Sequence, residues 1–377
     1  AKAALLIDLN TNRVVYEQDA DERVYPASLT KIMTCLIALE NGNLSDVVTV
    51  SESALADLDE DSSVAGLVVG EQMTLENLLY CMMVVSGNDA CNVIAEHVAG
   101  SVTDFVRMMN QRAYELGCTN THFNNPHGLH DESHYTTARD LAIITQAALK
   151  SENFRQIVDT YEYKLPDDNM RQNIPKLKTT NMLIYQSMSN SLYYPRAHGI
   201  KTGYTSQAGR CVISEATGDG LDLLGIVCGA ATTVLDSGDL LMENFTECAR
   251  LFDYGFDNYS YLTLMSPLYP VDQVKINNSA GAEAVAVAPT VMPRKMVTIF
   301  IRAFCAVSLR RSSWPLSLNR LPSIRQPTSG AAEGSSRLTI IVTAMGKMIF
   351  SFLETGRSCS ITMERSFLVV RARMMGG

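Results

Sequence analysis

The sequence predicts an α/β chain of the α+β kind, with one sheet whose first and last strands meet, helices flanking it, and a small β-rich domain after it. Three observations predict this. The chain opens with two short apolar runs around a polar turn, its middle is written in helical periods, and strand-like runs return near residue 200. At 377 residues, one large domain plus a smaller one is the expectation.

The elements follow in order. Ala3 to Leu9 and Arg13 to Glu17, joined by Asn10-Thr11-Asn12, predict a β-hairpin. Ser28 to Leu39 places Ile32, Met33, Leu36 and Ile37 at helical spacing and stops at Asn41-Gly42. Val47 to Val50 predicts a short strand. Thr74 to Val85 and Asp89 to Val98 predict two apolar helices, interrupted by Ser86-Gly87-Asn88. Ser101 or Thr103 caps a helix that runs to Leu116 and stops at Gly117, and Arg139 to Leu149 predicts another. Gly199 to Gly203, Arg210 to Ala216 and Leu221 to Cys228 predict strands, the last two a hairpin across Gly218-Asp219-Gly220. Phe245 to Tyr254 reads as a helix. Beyond Asn258 the sequence shortens into β-like pieces such as Gln273 to Ile276 and Ala284 to Ala288.

Composition narrows the function. A formal charge of −9 argues against a phosphate-backbone partner, so no nucleic acid is expected. The uncharged run Leu338 to Gly346 ends at Lys347, well short of the roughly 20 residues of a spanning helix. The chain opens at Ala1 in strand-like sequence, without an N-terminal signal. Nine cysteines form no C-x-x-C pair and lie among apolar neighbours, which predicts buried free thiols. His122, His127, His130 and His134 cluster without an acidic ligand at fixed helical spacing, so they read as solvent-facing or hydrogen-bonded and no metal is expected. Charge then breaks sharply. Residues 1–296 hold 20 Lys+Arg against 37 Asp+Glu, whereas 297–377 hold 11 against 3. Residues 297–377 are therefore an anomalous basic tail, either a surface-binding extension or a segment that is out of frame or disordered.

Three motifs carry chemistry. In Pro26-Ala27-Ser28-Leu29-Thr30-Lys31 a serine and a lysine three apart at a helix start share one face. A serine hydroxyl is a weak nucleophile that needs a base beside it, and free N–H groups at the helix start would polarise it. Alone, the pair also reads as an N-cap and a solvated lysine. Ser86-Gly87-Asn88 reads as a helix–helix turn or as a hydroxyl and an amide facing a cleft. Lys201-Thr202-Gly203-Tyr204-Thr205 closes a strand, and its glycine reads as an ordinary strand end or as a place where a ligand approaches the backbone. Together, S-x-x-K, S-x-N and K-T-G in this order form the signature set of penicillin-binding proteins and serine β-lactamases.

On these motifs, and on Val85 to Asn92, Asn125-Pro126-His127-Gly128-Leu129, Thr136 to Leu141 and His198 to Thr205, the stretch from Ala3 to Gly255 resembles the D-alanyl-D-alanine carboxypeptidases. These are low-molecular-mass penicillin-binding proteins, sporulation-type members among them. The resemblance implies a serine β-lactamase/penicillin-binding-protein-like fold, an antiparallel sheet flanked by helices with an all-helical lobe. Residues 1–256 would be the catalytic domain and 257–296 the start of a β-rich C-terminal domain.

The resemblance also implies the chemistry. The substrate is a peptidoglycan stem peptide ending in D-Ala-D-Ala, and Ser28 attacks the penultimate carbonyl. Lys31 is the general base, its proton affinity lowered by desolvation and by the Lys201 cation. Ser86 relays the proton to the leaving nitrogen, and Asn88 holds the substrate amide. Lys201, Thr202 and Thr205 hold the terminal carboxylate. The main-chain N–H groups of Ser28 and Tyr204 form the oxyanion hole, with Gly203 permitting the approach. β-Lactam antibiotics would acylate Ser28, no cofactor is needed, and the location is extracytoplasmic; this tail does not support membrane association. Two alternatives stand: a class A-like β-lactamase, against which Glu132-Ser133-His134-Tyr135-Thr136 lacks the usual asparagine, and a non-catalytic peptidoglycan-binding scaffold.

Overall fold

The computed structural model describes residues 1–56, 58, 62–234 and 240–262, and beyond them only the strands 270–275, 283–287, 292–293, 337–342, 348–354, 357–364 and 367–369. The chain divides into two units, Ala1–Asn258 and Tyr259–Gly377.

In the first unit, β1 (Ala3–Asp8) and β2 (Arg13–Gln18) form the opening hairpin. The helical middle comprises α1 (Lys31–Asn41), α2 (Glu52–Ala56), α3 (Leu75–Val84), α4 (Asn88–Ala99), α5 (Val102–Glu115), α6 (Ala138–Ala148) and α7 (Glu152–Val158). Two short strands, β3 (Val47–Thr49) and β4 (Gln72–Thr74), pair before α3, and β5 (Glu162–Tyr163) pairs with β6 (Leu177–Lys178) after α7. Strands β7 (Ala197–Thr205), β8 (Gly209–Gly218) and β9 (Leu221–Ala230) complete a five-stranded antiparallel sheet of order β2-β1-β9-β8-β7. The first and last strands meet, as the sequence predicts, and β7 is left as an edge. After the hairpin of β10 (Thr232–Val234) and β11 (Leu240–Met242), α8 (Glu243–Asn258) packs against β1, β8 and β9.

The helix ends carry the expected signals. Thr74, Ser101, Thr137 and Ser151 each accept an N–H from three residues on, the cap that satisfies one orphan donor. Every residue of helix α1 from Lys31 to Ala38 is buried, as are Asn77 to Val84 of α3 and Asn88 to Ala95 of α4. Helix α1 threads the middle of the helical lobe, touching α3, α4, α5, α6 and α7. Burial of each large side chain such as Ile32 or Leu36 contributes roughly 1.5–3 kcal/mol. A lysine on such a helix is held where water cannot reach it. Seven cysteines (35, 81, 91, 118, 211, 228 and 248) are free and buried, in keeping with their apolar neighbourhoods.

The second unit contributes a pair formed by Tyr261–Leu262 and Met292–Pro293, a hairpin of Pro270–Lys275 and Glu283–Val287, and an antiparallel meander of Arg337–Val342, Met348–Glu354, Arg357–Glu364 and Phe367–Val369. The rest of the tail lies outside the described residues.

Candidate active site

Ser28 does not open the α-helix, as the periodicity suggests, but sits in a 3₁₀ turn, Ala27–Thr30, that leads into α1. Ala27 before it is in the left-handed region at φ 48°, which turns the chain so that Ser28 keeps partial exposure between buried Ala27 and Leu29. Lys31, one turn later, is fully buried. Its Nζ donates to Ser28 Oγ at 2.9 Å, to Asn88 Oδ1 at 2.7 Å and to the main-chain oxygen of His127 at 2.8 Å. All three ammonium protons thus have acceptors, as a buried amine requires. Burial nevertheless dominates, drawing the Lys31 pKa down to about 8 against opposing contributions from Cys91 and Asp89.

The sequence-based expectation names desolvation and the Lys201 cation together; desolvation is the leading cause at Lys31, and the two buried amines disfavour each other's charge. Lys201 is 1% exposed, and its pKa is pushed well below the ordinary lysine range, first by burial and then by Lys31. Its Nζ donates to the main-chain oxygen of Thr202 at 3.0 Å.

The K-T-G strand reaches Ser28 through main chain. A Cβ placed on Gly203 would stand 3.0 Å from both Pro26 O and Ser28 N. Only glycine lets β7 come this close to the 3₁₀ turn. A shift in the β7–β8 register between His198 and Lys201 precedes the stretch in which Lys201 to Thr205 pairs with Ile213 to Gly209. Thr202 hydrogen-bonds Thr180, whose own N–H donates to Val84 O at 3.3 Å, so β7 is tied to the end of α3. Tyr204 is exposed and lies under the Arg210 guanidinium, 4.8 Å from ring centre to Cζ. The Thr205 hydroxyl is engaged in the turn to β8, accepting from Ala208 N at 3.0 Å.

Ser86 and Asn88 flank the turn between α3 and α4, and both are buried. Ser86 is held at φ 66°, a left-handed conformation that costs a non-glycine residue about 1–2 kcal/mol and marks a constrained position. Among the described residues, Asn88 is joined to Lys31 by a hydrogen bond and Ser86 Oγ is not.

Sequence reasoning names the stretch Asn125 to Leu129 as a carrier of the resemblance but gives it no role at the site, where its His127 carbonyl meets Lys31. Asn125 organises this loop, its Oδ1 accepting from Gly128 N at 2.6 Å and its Nδ2 donating to Leu129 O at 3.0 Å. Thr34 Oγ1 docks it on α1 by donating to Pro126 O at 2.6 Å. Of the two readings, solvent-facing or hydrogen-bonded, His127 and His134 meet the second: both are buried, and His127 Nδ1 accepts from Leu129 N at 3.2 Å. Burial pulls their pKa values down to about 3 and about 4, so both rings are neutral. His134 Nδ1 accepts from Asn124 N at 3.1 Å, which leaves its Nε2–H to donate to Thr30 Oγ1 at 2.8 Å. The ligand of Lys31 in this loop is a carbonyl oxygen, which no side-chain motif can announce.

Comparison with known proteins agrees with this geometry. Residues 1–232 match the family model described as D-alanyl-D-alanine carboxypeptidase. The chain is 37% identical over 284 residues to D-alanyl-D-alanine carboxypeptidase DacF of Bacillus subtilis (strain 168), covering 73% of this chain and 67% of that protein. It is 33% identical over 275 residues to DacC of Escherichia coli (strain K12), covering 71% of this chain and 64% of the relative. The match therefore spans about two thirds of the length of these curated relatives. The crystal structure of the Streptomyces K15 DD-transpeptidase is similar at a TM-score of 0.60 and 30% identity, over 68% of this chain and 97% of that one. The chain belongs to the D-alanyl-D-alanine carboxypeptidase family.

Proposed function

We propose that the protein is a serine-type carboxypeptidase that removes the terminal D-alanine from peptidoglycan stem peptides on the outer side of the cytoplasmic membrane. One observation carries this reading. A buried amine whose pKa is lowered to about 8 lies 2.9 Å from the hydroxyl of a partly exposed serine, within reach of a backbone edge.

Neutral Lys31 takes the Ser28 hydroxyl proton as Oγ attacks the penultimate carbonyl, giving a tetrahedral oxyanion. The N–H groups of Ser28 and Tyr204 receive that oxyanion; each such donor contributes roughly 3 kcal/mol to the transition state. The C–N bond then breaks, the proton passes through Ser86 to the leaving D-alanine nitrogen, and the Ser28 ester remains. Water adds to the ester and releases the shortened peptide. Asn88 orients both Lys31 and the substrate amide. Lys201, Thr202 and Thr205 hold the terminal carboxylate; the Thr205 hydroxyl accepts from Ala208 N in the turn, a bond that does not use its own O–H donor. The amide of a β-lactam ring is placed for the same attack.

The β-lactamase alternative requires a second base for rapid deacylation, and Glu132, the acid in the sequence-level candidate stretch, is exposed on its loop. Transpeptidation shares the acyl-enzyme and differs only in the acceptor, an amine in place of water.

The test is mass spectrometry after benzylpenicillin treatment, with peptide mapping, beside release of D-alanine from a peptide ending in D-Ala-D-Ala. A single adduct on Ser28 and free D-alanine are expected. An adduct elsewhere moves the nucleophile, and an adduct without D-alanine release favours the scaffold. Fast nitrocefin turnover favours the β-lactamase.

A further outcome concerns Gly203. Valine there would press on Pro26 O and Ser28 N, both 3.0 Å from the first added atom. Acylation by benzylpenicillin should fall by about a hundredfold, and stopped-flow measurement of acylation would show it. A wild-type rate would mean that β7 need not approach the Ser28 turn.

A further inference from the structure

Asp89 follows Asn88 in the first turn of α4 and is 2% exposed. An acid at that position ordinarily serves the helix dipole. Here only one of its four hydrogen bonds stays in its own helix, from Ala90 N to Oδ1 at 2.9 Å. The others come from a separate segment: Ala65 N donates to Oδ1 at 2.9 Å, and Gly66 N and Leu67 N donate to Oδ2 at 2.9 and 3.0 Å. Three successive N–H groups wrapped around one carboxylate form an anion nest closed by the protein itself.

The same segment lies on the second motif. Asn88 N donates to Ser63 O at 2.8 Å, Ser63 Oγ donates to Val85 O at 2.8 Å, and a Cβ on Gly87 would stand 3.1 Å from Ala65. From its far side Arg171 donates to Gly66 O at 2.8 Å and to the buried Glu71. Residues 63–67 are therefore a rim on the Ser86-Gly87-Asn88 turn, and the side chain that ties the rim to that turn is next in sequence to the one that binds Lys31.

We propose that Asp89 is a positioning residue for acyl transfer, coupling the rim 63–67 to the Asn88–Lys31–Ser28 hydrogen-bond chain so that one buried carboxylate sets both the cleft wall and the base. The inference rests on the reading of Ser28 and Lys31 given above. A second consequence is electrostatic. The charge of Asp89 favours the protonated form of Lys31 and opposes burial, while the Cys91 thiol of the same helix, its pKa raised to about 12, is neutral where Lys31 titrates. The other titratable groups facing Lys31 are Lys201 of β7 and His127 of its loop.

The test compares the full chain with its Asp89→Asn variant. Acylation by benzylpenicillin is followed against pH, and amide hydrogen exchange is followed at residues 65–67. Asparagine keeps the size but loses the charge and turns a donor toward an N–H. Exchange of the three amides should quicken by about tenfold or more, as loss of charge-assisted bonds implies. The plateau acylation rate should fall by roughly ten- to hundredfold. The rise of the rate with pH should move to lower pH, because Lys31 loses a group that favours its proton; a merely structural role leaves that limb in place. Should Asp89→Asn not fold, Gly66→Ala strains the nest at a left-handed glycine (φ 76°), where an added Cβ makes only an ordinary contact of 3.8 Å with Arg171 Nη1. It should quicken the same amides and lower the plateau, with the pH limb unmoved. An unshifted limb in Asp89→Asn, or faster exchange with a wild-type rate in either variant, overturns the proposal while the parent reading stands. A wild-type protein that benzylpenicillin does not acylate at Ser28 overturns both.

Discussion

Replacement of Lys31 by methionine is expected to slow benzylpenicillin acylation of Ser28 by roughly 10²–10⁴-fold, the range for loss of a positioned general base, and to remove an alkaline stabilisation that the wild-type fold carries. The folded protein holds the Lys31 pKa at about 8, against 10.5 for a free lysine. Between those values the unfolded chain binds a proton that the folded one does not, so stability rises with pH. Below about 8 the full penalty is present, on the order of 3 kcal/mol for a gap of that size; above the free-lysine value it has vanished. Methionine fills similar space without titrating. It leaves Asn88 Oδ1 and His127 O short of a donor, at about 1–3 kcal/mol each, but that loss is the same at every pH. Urea unfolding at pH 7 and pH 11 should therefore show the wild type gaining about 3 kcal/mol relative to Lys31→Met. A stability difference that stays constant across the range would mean that burial of this amine is not costly, and the account of a base made neutral by desolvation would fall.

What could be foreseen from the sequence, and what could not, follows the same physics. Long amphipathic or apolar periods such as Leu75–Val84 and Asn88–Ala99 declare themselves because tertiary packing and local pattern agree. The three-residue strand Gln72–Thr74 and the short helix Glu52–Ala56 do not, being too brief for a period to accumulate. At the site, Ser28, Lys31, Asn88, Lys201 and Gly203 were legible because their side chains, or the lack of one, do the work. The carbonyl of His127 was not, since any residue supplies a carbonyl. Asp89 was hidden by its position, where the helix N-terminus alone accounts for an acid. Burial of His127 and His134 was equally unannounced: a loop is polar by default, and its docking on α1 through Thr34 and on the 3₁₀ turn through Thr30 excludes water from those rings. The same docking makes a glycine of that loop as consequential as any charged residue of the site.

Gly128→Ala is expected to cost acylation at least a hundredfold although residue 128 contributes no side chain to the chemistry. Its φ is 92°, and an added Cβ would lie 1.8 Å from Ala27 O and 2.9 Å from Thr30 Oγ1. Ordinary contact begins near 3.4 Å, so more than an ångström of displacement must be found. The alternatives are the loop that offers the His127 carbonyl to Lys31 or the peptide that leads into Ser28. Either movement breaks a Lys31 contact, at 2.8 Å in the first case and 2.9 Å in the second. Backbone strain adds about 1 kcal/mol, and the clash should bring the total destabilisation to roughly 2–4 kcal/mol. Gly117→Ala separates the two causes. Gly117 also has a left-handed backbone, φ 85°, but nothing lies within 4 Å of its would-be Cβ. That variant should lose about 1 kcal/mol by thermal unfolding and acylate at the wild-type rate. If Gly128→Ala behaves like Gly117→Ala in a stopped-flow acylation assay, the loop yields without moving Ser28, and Ser28 and Asn88 hold the base without the His127 carbonyl.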